Sequence, residues 1–314
     1  MQKILHRIFF NFDDGPDPFQ TYLDTWKKEL PDFTIMEWDK TNLPLDLNEY
    51  TRTLSKEKNH AFLSDYFRCW LLKNYGGVYL DADIEILDGN EFRMIYEETQ
   101  VSSDYDMFIG VESSNNGLLT AHSMGIKEGA NHEILDFLLN LYETHLSSEL
   151  HYYVKRFPIP DLLRLYFIIQ EKEGNSPFSQ NGFFKQLKLP ITTCKMKIFP
   201  QDYFSPLTDR NEQEVITAFS VHTCICHHFA ATWRETVKGK QSKNFKEGLI
   251  DNDYLPAPLL IPEIRKRYPE LSYKHFKRPR WALKNEQIKF FEGVFNFFIP
   301  YQSRLFFSLK SRHE

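Results

Sequence analysis

The chain has 314 residues, 42% of them hydrophobic, which is long enough for one large core with an extension. With 38 Lys and Arg against 43 Asp and Glu, a net charge of -5 argues against nonspecific nucleic-acid binding by the chain as a whole, so no nucleic-acid partner is expected. No run of eighteen apolar residues occurs, and the short N-terminal apolar run is soon interrupted by Asp13 and Asp14, so neither a spanning helix nor a signal peptide is expected.

In chain order, "KILHRIFF" (3–10) predicts a strand leading into a polar Gly/Pro loop, "TYLDTWKKEL" (21–30) a helix stopped by Pro31, and "FTIMEW" (33–38) a second strand. From Lys58 to Tyr75 the pattern is helical, with Phe62, Tyr66, Cys69 and Lys73 on one stripe, and Gly76 and Gly77 supply a left-handed stop. A strand carrying Val78, Tyr79 and Leu80 into Asp81 and Asp83 follows at once. "DYDMFIGVE" (104–112) predicts another strand, and helices are expected over 131–146 and 159–172. This alternation points to an α/β sheet sandwiched by helices. "VKGKQSKNFKEG" (237–248) has no apolar period and marks a linker between a domain over 1–236 and an extension over 237–314.

The stretch "NYGGVYLDADIEIL" (74–87) carries the chemistry. Alternate strand residues point the same way about 6.6 Å apart, so Asp81 and Asp83 can offer two oxygen ligands to one side. Two unpaired carboxylates that close repel, and a divalent cation resolves the repulsion. Hard oxygen ligands suit Mn²⁺ or Mg²⁺, which keep positions open for phosphate oxygens, so the natural third party is a diphosphate. A calcium loop is excluded because Ile86 and Phe92 stand where Gly and Glu are required. An isolated D-x-D more often begins a polar turn, but here Asp65 and Arg68 sit three apart on the preceding helix, where Arg68 could neutralise a phosphate and Asp65 hold a sugar hydroxyl. Without the D-x-D, those two would be a surface ion pair.

Ser64-Asp65-x-x-Arg68 followed by Gly76-Gly77-Val78-Tyr79-Leu80-Asp81-Ala82-Asp83 resembles the signature of glycosyltransferase family 32, the sugar-binding DXD group that includes yeast-type mannosyltransferases and many bacterial capsule and polysaccharide enzymes. It is also similar to the catalytic core of the clostridial glucosylating toxins. Two weaker matches flank it: "KILHRIFF" resembles the family's opening strand, with Phe9 at the usual Trp, and "IFPQDYFSPL" with "CICHHFAATW" resembles its late segment, with Thr232 at the usual Ser. The resemblance spans about residues 2 to 234.

What the resemblance implies is a GT-A fold, a Rossmann-like mixed sheet flanked by helices, and a metal-dependent retaining transfer from a nucleotide-sugar donor, a UDP-sugar being favoured. Asp83 would bind the metal directly, Asp81 would touch metal and ribose or sugar, and Asp65 and Arg68 would hold the donor sugar and diphosphate. Phe9 and Tyr79 would lie near the nucleotide, with His227 as a further metal ligand and Trp233 on a closing loop. Asp81, Asp83 and Arg68 would thus be the catalytic set. The acceptor would be a glycan or a lipid-linked sugar of polysaccharide or capsule synthesis.

Two other enzyme or binding classes stay open: a phosphotransferase with Asp81 as nucleophile, disfavoured by Glu85 where Thr or Val is usual, and a noncatalytic carbohydrate-binding protein on the same fold. "HTCICHHF" (222–229) could also be a Cys/His zinc cluster, but Cys224 and Cys226 lack a matching second pair and fit better as small buried hydrophobes. Tyr203, Phe204 and Trp233 are candidates to line the acceptor side, since sugars stack on aromatic faces. The four scattered cysteines and the lack of an N-x-S/T sequon fit a reducing cytoplasm. Residues 273–312 hold nine Lys and Arg against two Asp and Glu among many Phe, as either a basic lid or a segment lying on an anionic inner membrane face.

Overall fold

The structure is a computed structural model that describes residues 3–113, 117–145, 159–174, 184, 186–207 and 219–230. Trp233, the linker and the whole C-terminal extension, with its expected membrane contact, lie outside these residues.

The elements run β1 (Ile4–Ile8), α1 (Gln20–Glu29), β2 (Thr34–Trp38), α2 (Glu49–Lys56), α3 (His60–Tyr75), β3 (Gly77–Leu80), β4 (Ile84–Ile86), α4 (Gly89–Val101), β5 (Met107–Ser113) and β6 (Leu118–Ile126). Then come α5 (Glu133–Asn140) with a π turn (Leu141–His145), α6 (Ile159–Lys172), β7 (Ile191–Thr193), β8 (Met196–Phe199), the single turn α7 (Gln201–Phe204) and β9 (Ile225–His227). Seven strands form one sheet in the order β2-β1-β3-β6-β5-β8-β7, and β4 pairs with β9 in a small separate sheet. Pairing is parallel between β1 and β2, β1 and β3, and β5 and β8, and antiparallel elsewhere.

Alternation along β3 sends Tyr79 to one face and Val78 and Leu80 to the other. Tyr79 joins an apolar layer with α2, α3, α5 and α6, while Val78 and Leu80 join one with Leu23 and Trp26 of α1, Phe92 and Ile95 of α4 and Phe204 of α7. Helices therefore cover both faces of a mixed sheet, the arrangement expected for a GT-A fold. The predicted strands at 3–10, 33–38 and 104–112 are present as β1, β2 and β5, and the predicted helices as α1, α3, α5 with its π turn, and α6.

Helix α3 departs from the single apolar stripe expected of it. Leu63, Asp65, Tyr66, Phe67, Arg68, Cys69, Leu71 and Leu72 are all buried, because the helix lies on β1, β3 and β6 and is flanked by α2 and α5. Its end does follow the Gly-Gly signal. Gly76 and Gly77 have φ of +66° and +81°, and a Cβ on Gly77 would stand 2.7 Å from the Ile4 carbonyl oxygen. Only glycine lets the chain leave α3 and enter β3 against β1.

Candidate active site

Asp81 and Asp83 do not lie on a strand. β3 ends at Leu80, the Ile84 N–H donates to the Asp81 carbonyl at 3.1 Å, and β4 starts in the other sheet. The carboxylates converge because a tight turn joins two sheets, and not through the alternation of a strand. The turn is anchored at its start by the Asp81 N–H, which donates to the His122 carbonyl at 2.8 Å. β9 then closes on β4, pairing His227 with Ile84, and the His228 N–H donates to the Asp83 carbonyl at 3.2 Å.

This closure brings together residues 144 positions apart in the chain, 83 and 227. Asp81, Asp83 and His227 each offer one ligand atom, and all of these atoms lie within 4.8 Å of one another. Two carboxylate oxygens and an imidazole nitrogen make a donor set suited to a divalent cation that accepts both hard oxygen and nitrogen ligands, so the residues fit the expected metal. Among the described residues this is the sole cluster of that kind, and Cys224 and Cys226 are free buried thiols outside it. The Cys224 thiol donates to the Tyr203 carbonyl, as expected of a packed cysteine.

The two carboxylates of the turn have different partners. Arg68 Nη2 reaches Asp65 at 2.9 Å and Asp81 at 3.3 Å, Nη1 donates to the Ala121 carbonyl at 2.6 Å, and Nε donates to the Ser64 carbonyl at 3.2 Å. Its guanidinium lies 4.7 Å over the Tyr79 ring, and the Tyr79 hydroxyl donates to Asp81 at 2.6 Å. Burial works against the Arg68 charge, but Asp81, Tyr79 and Asp65 outweigh it and hold its pKa above the usual value. For Asp65 burial wins: its carboxyl is pushed up to about 6, with Arg68 opposing and Asp81 adding to the rise. Arg68 is thus turned inward as a clamp on two carboxylates, and Tyr79, 1% exposed, braces Asp81 from beneath without presenting a face to a ligand.

Asp83 is gripped from the other side. Its Oδ1 lies 3.4 Å from His227 Nε2, and its Oδ2 accepts from the Ala230 N–H at 2.8 Å. Burial would raise its pKa, but His227 and the Ala230 N–H outweigh burial and leave it below the usual carboxylate range. For His227 burial lowers the pKa, and Asp83, with help from Asp81, reverses the shift and leaves it raised.

Phe9 follows β1 beside this turn, half-buried, with the Arg7 guanidinium 5.6 Å from its ring. A run of aromatic contacts continues from it: Phe19 edge-on at 5.9 Å, Tyr22 at 6.4 Å from Phe19, and His228 stacked on Tyr22 at 4.5 Å. His228 Nε2 also lies 2.8 Å from Glu85. Tyr203 and Phe204 are buried against Phe199, and Tyr203 stacks on His222, so these two rings are core and do not line an acceptor face.

Tyr22 and His122, which no motif marks, also lie in this neighbourhood, as do Glu85 and His228, which the sequence does not mark as neighbours of the D-x-D. His122 is 3% exposed and packs on His227 with ring centroids 4.3 Å apart. Burial, with the charges of His227 and Arg68, holds its pKa well below the usual value, so it is neutral. Its strand is buried at every position, and a histidine between the equally buried Thr120 and Ser123 in such a run gives no signal in the sequence.

Residues 16–101 match the family model described as "Glycosyltransferase sugar-binding region containing DXD motif". Just over a quarter of the chain is thus similar to a glycosyltransferase DXD region. That region holds Asp65, Arg68, Tyr79, Asp81 and Asp83, and Phe9 and His227 lie outside it. Two solved structures align with part of the chain. "PaToxG Glycosyltransferase" does so at 13% identity, covering 55% of this chain and 77% of its own, with a TM-score of 0.35. The second is titled "crystal structure of a glycosyltransferase involved in the glycosylation of the major capsid of PBCV-1", at 9% identity, 53% and 76% coverage and a TM-score of 0.32. No curated protein sequence matches the chain. Among the described residues no helix is long and apolar enough to cross a membrane.

Proposed function

We propose that this protein is a metal-dependent glycosyltransferase that takes a sugar from a nucleoside diphosphate donor, with a UDP-sugar favoured, and passes it with retention to a glycan or lipid-linked acceptor of polysaccharide synthesis. The observation that carries this reading is the meeting of Asp81 and Asp83 of the DXD region with His227 of β9. Asp81, Asp83 and His227 would hold Mn²⁺ or Mg²⁺. When bound, such a cation neutralises charge developing on the departing diphosphate.

The chain's own residues do the rest by holding positions. Arg68 fixes the Asp81 carboxylate through Nη2 and adds fixed positive charge beside the leaving group without itself moving. Asp65, held by Arg68 and by the Ile159 N–H at 3.4 Å, is aimed to accept from a donor sugar hydroxyl. Phe9, Phe19 and Tyr22 offer ring faces for the nucleoside. The exclusion of water around a buried Arg68 and Asp83 strengthens these interactions.

The test is donor hydrolysis by the full chain against a panel of UDP- and GDP-sugars, with Mn²⁺, with Mg²⁺, and after chelation. Hydrolysis of one donor that stops on chelation and returns with metal is the expected result. Metal-independent hydrolysis would remove the metal from the mechanism, and no hydrolysis of any donor together with phosphate release from a phosphomonoester would favour a phosphotransferase.

A further inference from the structure

A ligating imidazole ordinarily donates its second N–H to an acceptor that fixes its tautomer and orientation. His227 Nδ1 is buried and has no such partner. The ring packed on it belongs to His122 of β6, with centroids 4.3 Å apart and planes inclined by 39°. His122 Nδ1 is also buried and unpartnered, while its Nε2 lies 2.6 Å from Oγ of Ser205, itself fully buried. The His122 carbonyl accepts from the Asp81 N–H at 2.8 Å. One residue therefore touches both arms of the site, the DXD turn through its backbone and β9 through its ring.

Resting on the metal reading above, we propose that His122, anchored by Ser205, is a positioning residue that aims His227 at the ion. If the His122 Nε2–H donates to Ser205 Oγ, the His122 Nδ1 lone pair is left as a bare buried acceptor beside the His227 ring. A ligating His227 carries its remaining proton on Nδ1. The two unpartnered nitrogens then complement each other, joined after a small ring rotation or through one buried water. Simple packing accounts for the ring contact alone. It does not account for a bare buried nitrogen on each of two adjacent rings, nor for a hydroxyl holding the far nitrogen of His122.

The experiment measures Mn²⁺ affinity by calorimetry on the full-length chain, together with the melting temperature of the metal-free protein. His122→Phe keeps an aromatic ring and removes both nitrogens, Ser205→Ala removes the anchor, and His122→Asn restores a polar atom near the Nδ1 position. Loss of an outer-shell partner typically weakens metal binding by about 10–100-fold, and that is the loss expected for His122→Phe. A smaller loss in the same direction is expected for Ser205→Ala, and recovery of most of it for His122→Asn. Affinity within twofold of the parent for both His122→Phe and Ser205→Ala, or His122→Asn binding as weakly as His122→Phe, would overturn the proposal. If His122→Phe does not fold, Ser205→Ala alone decides in the same way. A parent protein that binds neither Mn²⁺ nor Mg²⁺ removes the metal reading first and this inference with it, an outcome distinct from equal binding by parent and variants.

Discussion

Arg68→Met keeps the aliphatic stem and removes the guanidinium. In the parent that group is 6% exposed and makes four polar contacts, to Asp65, Asp81, Ala121 and Ser64. Without it Asp65 becomes an uncompensated buried carboxylate, and breaking a buried pair from one side costs about 3–5 kcal/mol. Asp81 adds less, because its side chain is 26% exposed and water screens it. The loss should depend on pH. Burial already pushes Asp65 up to about 6, and removing the charge that opposes burial pushes it higher. A carboxyl whose folded pKa is raised costs stability above that pKa, and the cost is relieved as pH falls from the folded pKa toward the unfolded one, at about 1.4 kcal/mol per pH unit. Urea unfolding of the metal-free parent and variant at pH 8 and pH 5 reads this directly: the gap should be several kcal/mol at pH 8 and distinctly smaller at pH 5. A gap below about 1 kcal/mol at pH 8, or one of equal size at both pH values, would refute the clamp.

Asp83→Ala should abolish Mn²⁺ binding in calorimetry. Because it strips an acceptor from His227 and the Ala230 N–H, it should also cost the metal-free protein about 1–2 kcal/mol, so that relief of carboxylate repulsion does not make the change free. Gly77→Ala puts a Cβ 2.7 Å from the Ile4 oxygen at a φ of +81° and should destabilise by about 2 kcal/mol or more; a urea midpoint unchanged from the parent would show that β1 and β3 can part there. Mn²⁺ affinity should fall on acidification below the raised pKa of His227, since a proton on Nε2 competes with the ion; calorimetry at pH 5.5 and 7.5 checks the direction, and equal affinity would take His227 out of the ligand set.

The parts of the site that lay close together in the chain were legible in the sequence. Asp65 and Arg68 fall one helical turn apart, and Gly76 and Gly77 mark where α3 stops and β3 begins, so the order clamp, stop, strand, D-x-D follows from local rules. Helix α4 also carries a readable start signal: Asp88 caps the Asn90 and Glu91 N–H groups, with Phe92, Ile95, Tyr96 and Thr99 buried behind it. Helix α2 begins with Asn48 and Thr51 bonding reciprocally, a weaker form of the same signal without the acidic third residue.

What could not be read locally is the closure by β9 and β6. Periodicity places Asp81 and Asp83 on one strand, yet tertiary pairing puts them on a turn between two sheets. The turn after Leu80 is tied to the neighbouring strand by the Asp81 N–H, which donates to the His122 carbonyl. His122 has no motif of its own, because its neighbours Ala121 and Ser123 are as buried as it is and the strand alternates nothing. Its place against His227 emerges only once β6 lies beside β3 and β9 beside β4. The two carboxylates of the site thus come from a short motif, whereas His227 and the aim of the set depend on two strands remote in the chain. Substitutions at His122 or Ser205 should therefore disturb metal affinity while leaving every residue of the DXD region intact.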